Sequence, residues 1–481
     1  MKKYILSFLI VLSLLGGFSF TYADNVGDKR SFYVESKYEA NSQNQVSASL
    51  VKAPALLYFY ADDTWWNNLT DSQKQTLNSV MDKMGTEFNN NIYPKLTSTF
   101  GHEATPGVNK DSRITILLTP MGKGYEGYIR NVDSYEKTMN PFSNERLMIY
   151  MNTDILSSDY AVPILAHEFM HLITENQKEL KYGTPEETWL NEARSEYAVS
   201  YLGYNDVPNS YLDNRIASFA NNSSVSLTNW KENSANYGLV NMFASYLVDQ
   251  YGINVLVDSL HVPETGIASI NEALNNEGSS DNFNTVFKNW SVAVYLNDCS
   301  FGAKYCYKDK NLVDMHVVPL SNFLPYSGTS TLYLSQILSN YSAQWQRFAG
   351  GKGDVQLSFK NGYTNIFSVP YVIKNNSGAA TVGELKLDSN GEAVLKISNM
   401  GQDISSVAII PVVMSSNAIT NSTFYYSLSA AVSSGTSGTS NANINLPFAI
   451  DKPLNQMNRE ELLSVLLKLI IYLVSQGKLK F

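Results

Sequence analysis

The chain of 481 residues contains few cysteines, few histidines and few charged residues. Only two cysteines, Cys299 and Cys306, and five histidines are present, and charged residues make up 16 % of the chain. So few cysteines exclude a disulfide-dense scaffold. An even number of cysteines close together predicts one short-loop disulfide, whereas the alternatives are two free thiols or two ligands of a metal. No neighbouring residues supply the other ligands of such a metal.

Basic residues are also scarce relative to acidic ones. The chain has 35 Lys and Arg against 44 Asp and Glu, a net charge of −9, and no basic block. Such a chain is a poor candidate for binding nucleic acid. The hydrophobic content of 44 % and the aromatic content of 12 % are typical of a folded protein. The length allows two or three domains with their own cores.

The first 23 residues have the pattern of an export signal. Lys2 and Lys3 precede an apolar run, Ile5–Leu15, and Thr21–Ala23 offers a small-residue cleavage site. The alternative is an uncleaved membrane anchor. We expect cleavage near Ala23 and a secreted or cell-surface protein. The pattern leaves open whether residues 24–50 are a propeptide or part of the first sheet.

Residues 51–305 alternate between strand and helix patterns. Strands are predicted at residues 55–60, 114–118 and 147–151, and a capping box at Thr70–Gln73 predicts a helix to about Asn89. Helical patterns dominate from about residue 161 to 296. Mixed strands followed by a helical block favour an α+β fold.

Beyond residue 325 short β-rich runs separated by turn signals predict a β-sandwich over residues 325–432. The runs are Val355–Phe359, Phe367–Ile373, Glu384–Asp388, Ala393–Ile397, Val407–Val413 and Thr423–Leu428.

A Ser/Gly/Asn-rich linker (433–450) and an apolar C-terminal segment (451–481) end the chain. A helix is predicted at Asn458–Gln476. Its apolar stretch, of about 20 Å, contains Lys468 and is too short to span a bilayer. Self-association, docking on the sandwich and attachment to a membrane surface are the alternatives for this helix.

Residues 167–171 read HEFMH. On a helix His167 and His171 lie one turn apart on the same face, so both can bind one tetrahedral Zn²⁺. Glu168 then lies beside the open coordination position, where a water binds. This spacing predicts a catalytic zinc site.

The third protein ligand is predicted on a second helix. A capping box at Thr184–Glu187, with Pro185 at the first helical position, predicts the start of that helix. Glu192 follows His171 by 21 residues and is the predicted ligand. Glu196, one turn further on, is predicted to accept a hydrogen bond from the outer nitrogen of a zinc-binding histidine. The alternative is that both acids are simply solvated.

These motifs resemble the gluzincin metallopeptidases, and more closely the hyicolysin family of secreted bacterial neutral metallopeptidases. The resemblance covers about residues 55–300. It rests on SNERLMIYMN (143–152), ILAHEFMHLITENQK (164–178), TWLNEARSEYA (188–198), NYGLVNMFASYLVDQYG (236–252) and VFKNWSVAVYLND (286–298).

The resemblance implies a zincin-type catalytic domain, with zinc bound by His167, His171 and Glu192 and with Glu168 as general base. It also implies a twisted sheet whose edge strand, Leu147–Met151, pairs with an extended substrate.

Hydrolysis of a peptide bond also needs a hydrogen-bond donor to the oxyanion that forms from the substrate carbonyl, and the sequence indicates this donor less clearly than the zinc ligands. Tyr237 is the preferred candidate, although an ordinary tyrosine packed at a helix start is an equal alternative. Tyr246 and Tyr251 are weaker candidates, and His261 and His316 lie in no matching context. The remaining marked residues are predicted to be structural, with His102 on the surface and Trp189 and Trp290 in the core.

The preferred function is that of an exported zinc endopeptidase that acts on polypeptides. The Gly-x-Met-Glu-Asn block of related exopeptidases is missing, which disfavours the alternative of a zinc aminopeptidase. A surface-binding or adhesive protein with a secondary zinc domain is the rival from another class. A structural Ca²⁺ would suit an exported enzyme, but no acidic loop marks a site.

Overall fold

The computed structural model describes residues 23–325, 328–363, 365–415, 422–433 and 463–469. The predicted signal peptide before residue 23, the linker, and the C-terminal helix outside residues 463–469 therefore lie outside the described residues. Residues 463–469 are helical, with Leu463, Leu466 and Leu467 exposed. In the part of the chain that is described, no helix is long and apolar enough to cross a membrane. The predicted α+β class is confirmed.

A six-stranded mixed sheet forms the N-terminal half of the molecule, in the order β1-β2-β3-β4-β6-β5. Strand β3 is parallel to β4 and β4 to β6, whereas the other neighbours are antiparallel. The strands are β1 (Lys29–Tyr33), β2 (Gln45–Lys52), β3 (Leu57–Asp62), β4 (Ile114–Thr119), β5 (Gly127–Tyr128) and β6 (Met148–Asn152). Residues 24–50 thus contribute two strands to this sheet.

Both faces of the central strands are covered, which is why their sequences are continuous apolar runs. Phe59 and Ile116 face the helices, and Tyr58 and Tyr60 face the N-terminal segment, because successive side chains of a strand point to opposite faces. The cores on the two sides of the sheet therefore come from alternate residues of the same strands.

The prediction that Leu147–Met151 forms the edge strand is wrong. Strand β6 lies inside the sheet, and the two-residue strand β5 covers its outer side through the pairs Gly127–Met151 and Tyr128–Tyr150. Burial agrees with this position, since every residue of β6 is buried. The edge strand beside β6 is therefore β5, and β1 forms the opposite edge of the sheet.

Ten helices surround and follow the sheet within residues 23–325. They are α1 (Asp63–Asn67), α2 (Asp71–Glu87), α3 (Tyr93–Phe100), α4 (Ala161–Thr174), α5 (Thr188–Tyr201), α6 (Tyr211–Asn221), α7 (Ser234–Tyr251), α8 (Asn254–Leu260), α9 (Gly266–Asn276) and α10 (Phe283–Leu296). The capping box of α2 is confirmed, because Thr70 and Gln73 exchange their side-chain-to-backbone bonds. A π-turn, Phe88–Ile92, continues α2 into α3, so the helical run passes the predicted end at Asn89.

The C-terminal half of the described chain is β-rich. Nine of its strands form one sheet, in which β7 is attached through β9. The other two strands, β11 and β16, pair with each other. The strands are β7 (Leu320–Leu324), β8 (Ser330–Ser339), β9 (Gln346–Gly350), β10 (Gly353–Asn361), β11 (Phe367–Ser368), β12 (Pro370–Asn375), β13 (Ala380–Glu384), β14 (Glu392–Met400), β15 (Ile404–Ile409), β16 (Val412–Val413) and β17 (Thr423–Ser433).

Three of the predicted β-runs differ from the observed strands. The run Val407–Val413 divides into β15 and β16 at Pro411, which has no N–H to donate to a ladder. Phe367–Ile373 similarly divides before Pro370. The predicted strand Glu384–Asp388 is wrong, since β13 ends at Glu384 and Asp388 already accepts the turn bonds from Asn390 and Glu392.

The β-rich half packs directly on the helices of the first half. Trp345 is buried and donates from Nε1 to the carbonyl of Ser291 in α10, at 2.7 Å. Val372 and Ile410 belong to the same hydrophobic core as α10. Trp189 and Trp290 are buried in that core, as predicted. Cys299 and Cys306, just after α10, form a disulfide.

Candidate metal centre

Helix α4 carries the HEFMH sequence through the centre of the molecule, and all of its residues are buried. Its apolar side chains pack on the sheet and on neighbouring helices, which fixes the rotation of the helix. His167 and His171 consequently face the same side, and their Nε2 atoms lie 3.1 Å apart. Two imidazole nitrogens thus converge on one point.

Glu192, on α5, completes this group. Its Oε2 lies 3.3 Å from His167 Nε2 and 3.7 Å from His171 Nε2. One ligand atom from each of the three residues lies within 4.8 Å of the others. Glu192 Oε2 is buried and accepts no hydrogen bond from the described residues. Two nitrogens and an unpartnered carboxylate oxygen fit a tetrahedral Zn²⁺ with one position left open.

The start of α5 differs from the prediction. The helix begins at Thr188 with Glu187 as its N-cap, so the capping box at Thr184 is wrong. The Glu187 carboxylate instead accepts from Trp189 Nε1 at 2.6 Å. The predicted spacing of Glu192 and Glu196 on one helical face nevertheless holds, because both lie well inside α5.

Each histidine is oriented through its other ring nitrogen. His167 Nδ1 lies 3.1 Å from Glu196 Oε1, the partner expected from the sequence, which is an ion-pair distance without the alignment of a hydrogen bond. His171 Nδ1 lies 2.9 Å from Asn191 Oδ1 and 3.1 Å from Ser195 Oγ. Sequence reasoning missed Asn191 and Ser195, although their spacing on α5 repeats that of Glu192 and Glu196.

Two of the three candidate ligands are held in the protonation state that binds a metal. Burial lowers the pKa of His171. Burial opposes ionisation of Glu192, but His171 and His167 outweigh it and hold the pKa of Glu192 below its usual value. Burial also opposes charging of His167, yet Glu192 and Glu196 raise its pKa to about 10. A neutral His171 and an ionised Glu192 are the forms that bind a metal, and His167 must lose its proton to do so.

Glu168 lies on the sheet side of the histidines, with its side chain directed at strand β5. A Cβ atom placed on Gly127 would lie 2.8 Å from Glu168 Oε1 and 3.0 Å from the carbonyl oxygen of Tyr150. The close approach of β5 therefore depends on a glycine. Burial raises the pKa of Glu168 to about 8, and its Oε2 has no partner among the described residues.

Arg215, on α6, was not found by sequence reasoning. Its guanidinium donates to Glu196 and lies 3.3 Å from Glu126 Oε2. It also lies between two rings, with its Cζ 4.0 Å from the ring centre of Tyr211 and 4.1 Å from that of Tyr237. This cation connects α5, the segment before β5, and the start of α7.

Tyr237 lies in the first turn of α7 and lines the same cleft as the histidines. Its ring centre is 6.3 Å from that of His167, and Trp230 contacts it edge-on at 4.8 Å. Burial raises the pKa of Tyr237 above its usual value, so its hydroxyl stays protonated and can donate.

The other candidates for an oxyanion donor are not among the residues that line this cleft. Tyr246 donates to the carbonyl of Lys304 at 2.8 Å, and Tyr251 to Asp281 at 2.8 Å. His261 and His316 are likewise absent from the cleft lining, and His102 is exposed, as predicted.

A cleft of about 520 Å³ runs between β5 and the helices that carry these residues. Residues 124–129 line the cleft together with His167, Glu168, His171 and Glu192. Tyr211, Arg215 and Tyr237 also line the cleft, and the Tyr211 hydroxyl donates to Glu126 Oε2 at 2.8 Å. Its volume is in the range of pockets that hold a ligand or a short stretch of polypeptide.

No protein-family model matches this chain. The chain is 29 % identical over 236 residues to the neutral metalloprotease ShpI of Staphylococcus hyicus. That match covers 44 % of this chain and 49 % of the relative, so it spans about half the length of each. The matched part of the chain is thus similar to part of a neutral metalloprotease.

Solved structures with local likeness are far more distant. A periplasmic lysozyme inhibitor, PliG of Aeromonas hydrophila, is 13 % identical, with a TM-score of 0.18, and covers 23 % of this chain and 94 % of its own. The pre-peptidase C-terminal domain of a collagenase from Bacillus anthracis is 14 % identical, with a TM-score of 0.17, over 24 % and 96 %. Similarity this low has no bearing on function.

Proposed function

We propose that this protein is an exported zinc-dependent endopeptidase of the gluzincin type. The observation that carries the proposal is the convergence of His167, His171 and Glu192 beside the buried carboxylate of Glu168, inside an open cleft. The likeness to a neutral metalloprotease supports it. Export is supported by the signal-peptide pattern of residues 1–23.

Zinc held by His167, His171 and Glu192 would polarise a substrate carbonyl and lower the pKa of a bound water. The chain supplies the ligands in a rigid frame, because α4 is fully buried and α5 carries Glu192. Glu196, Asn191 and Ser195 fix the orientation of the two imidazoles. Such outer contacts normally set the tautomer of a metal-binding histidine.

Glu168 is the proposed general base and then the general acid. Its Oε2 is buried, has no other partner and borders the cleft, so it is free to accept a proton from water. The same oxygen then passes the proton to the leaving amine. Its raised pKa is close to the range in which a carboxylate can both take and return a proton near neutral pH.

Tyr237 is the proposed donor to the developing oxyanion. Its hydroxyl is protonated, and the residue lines the same cleft as Glu168, with its ring centre 6.3 Å from that of His167. The outer side of β5 offers backbone groups along the cleft, where an extended polypeptide would add as a further strand. We propose this edge, in place of the buried β6, as the substrate-binding strand.

The test is cleavage of casein by residues 24–481 and by three variants. We expect Glu168→Gln to keep its zinc and lose nearly all activity, because an amide cannot take the proton. His171→Ala should lose both zinc and activity. Glu277→Gln, on an exposed glutamate, is the matched control and should cleave like the wild type.

Two results would count against the proposal. Undiminished proteolysis by Glu168→Gln would exclude this residue as the base. A second such result would be a wild-type protein that contains zinc, by metal analysis, but cleaves no casein. It would favour the rival of a binding protein with a secondary zinc domain. Cleavage of a peptide whose amino terminus is acetylated separates an endopeptidase from an aminopeptidase, since only the former accepts it.

A further inference from the structure

The loop between α6 and α7, residues 222–233, contacts the β-rich half of the molecule. Ser226 Oγ donates to the carbonyl of Asn340 at 2.5 Å, and the backbone N–H of Leu227 donates to the carbonyl of Tyr341 at 2.8 Å. All four residues are buried. Buried hydrogen bonds of this kind hold two segments in one geometry.

The Asn340–Tyr341 turn is itself held firmly by the β-rich half. Asn340 exchanges two side-chain bonds with the backbone of Ser415, each 2.8 Å long. The N–H of Tyr341 donates to the carbonyl of Val413 at 3.0 Å, and its hydroxyl donates to Asn284 of α10, in the first half, at 3.0 Å. The turn is therefore a rigid support for the loop.

The same loop leads directly to Tyr237. Asn236, which is buried and precedes Tyr237, donates from Nδ2 to the carbonyl of Ser226 at 3.1 Å. Ser226 Oγ also accepts from the N–H of Asn229 at 3.0 Å, next to Trp230. Trp230 packs edge-on against the Tyr237 ring, with ring planes at 87°. Both contacts of Ser226 thus lead to neighbours of Tyr237.

We propose that the β-rich half positions the active site, with Ser226 as the positioning residue that couples the Asn340 carbonyl to Tyr237. This inference rests on the proposed role of Tyr237 as oxyanion donor. The β-rich half then contributes to catalysis without contacting substrate. Its effect should appear in kcat, because a misplaced donor weakens the transition state more than the bound substrate.

The first experiment compares Ser226→Ala with Ser269→Ala. Ser269 is also buried and donates to a backbone carbonyl, that of Gly266 in α9, but it has no part in this connection. We expect kcat to fall about five- to twentyfold in Ser226→Ala with KM within about twofold. Zinc content and thermal stability should match those of Ser269→Ala, which keeps the wild-type kcat. Equal kcat in the two variants would overturn the inference.

The second experiment combines Ser226→Ala with Tyr237→Phe. If Ser226 acts through Tyr237, its loss should have almost no further effect on kcat once the hydroxyl is gone. A full, independent loss in the double variant would show that Ser226 acts elsewhere. Full activity of Tyr237→Phe alone would instead remove the donor role itself, which is a failure of the proposed function.

Hydrogen exchange gives a third measurement that does not depend on activity. Without substrate, the amides of residues 226–240 should exchange faster in Ser226→Ala than in Ser269→Ala, because the loop has lost the two hydrogen bonds of Ser226 Oγ, to the Asn340 carbonyl and from the Asn229 N–H. Unchanged exchange in this segment would overturn the positioning role even if the protein had no protease activity.

Discussion

At the scale of single residues, Glu196 serves two partners at once. Its Oε1 lies 3.1 Å from His167 Nδ1 and also accepts from the Arg215 guanidinium. The residue is buried, so its charge is balanced locally by these two groups. Arg215 consequently limits how strongly Glu196 can act on the imidazole.

We predict that Glu196→Gln weakens zinc retention without abolishing it. The glutamine carbonyl can still accept from His167 Nδ1, but it lacks the charge that makes the imidazole a stronger ligand. Zinc affinity, measured by competition with a chelator, should fall about tenfold to a hundredfold. Glu277→Gln is the control, and an affinity equal to the wild type would remove the role assigned to Glu196.

The residues of this centre divide into those that local spacing reveals and those that it does not. His167, Glu168 and His171 follow from helical periodicity, and Glu192 from the next helix. Arg215 could not be found in this way, because on an amphipathic helix an arginine normally marks the solvent face. Only the packing of α6 against α7 shows that it is buried beside Glu196.

At the scale of elements, β5 shows why the sequence pattern does not reveal the edge of the sheet. Two residues, Gly127 and Tyr128, are too few for an alternating pattern to appear. The apolar run Met148–Asn152 was recognisable as a strand, but a continuous run is typical of an interior strand. The pairing partner that makes β6 interior lies in a segment without a strand pattern.

We predict that Gly127→Ala lowers activity through the position of Glu168. The new Cβ would lie 2.8 Å from Glu168 Oε1 and 3.0 Å from a backbone oxygen, so the carboxylate must move. A displacement of this size should reduce kcat about tenfold to a hundredfold. Steady-state kinetics with a peptide substrate measure this change.

Gly122→Ala is the matched control in the same segment. A Cβ there would come no closer than 3.5 Å to its neighbours, an ordinary contact, and we expect activity within about twofold of the wild type. Equal kcat for the two variants would mean that β5 does not constrain Glu168.

At the scale of the whole molecule, the division into a catalytic domain and a β-sandwich was predicted from a change of pattern near residue 325. The sequence pattern shows where the local structure changes, but it does not show how much surface two segments bury against each other. Trp345, Val372 and Ile410 of the β-rich half share a core with α10. The described residues up to Ser433 accordingly form one compact unit.

The β-rich half also has a core of its own, but because Trp345, Val372 and Ile410 share the core of α10, we expect this unit to unfold in a single cooperative transition. Trp345→Ala removes a buried indole and its bond to Ser291, which should cost about 3–5 kcal/mol. Calorimetry should therefore show one transition in the wild type and one, at a lower temperature, in the variant. Phe323→Ala is the control, because Phe323 is 76 % exposed and its loss should leave the transition temperature unchanged.

Two separate transitions, of which only one moves in Trp345→Ala, would show that the β-rich half is an independent domain. The support that it gives to the loop before Tyr237 would then be lost before the catalytic half unfolds, so activity would disappear at the lower of the two temperatures.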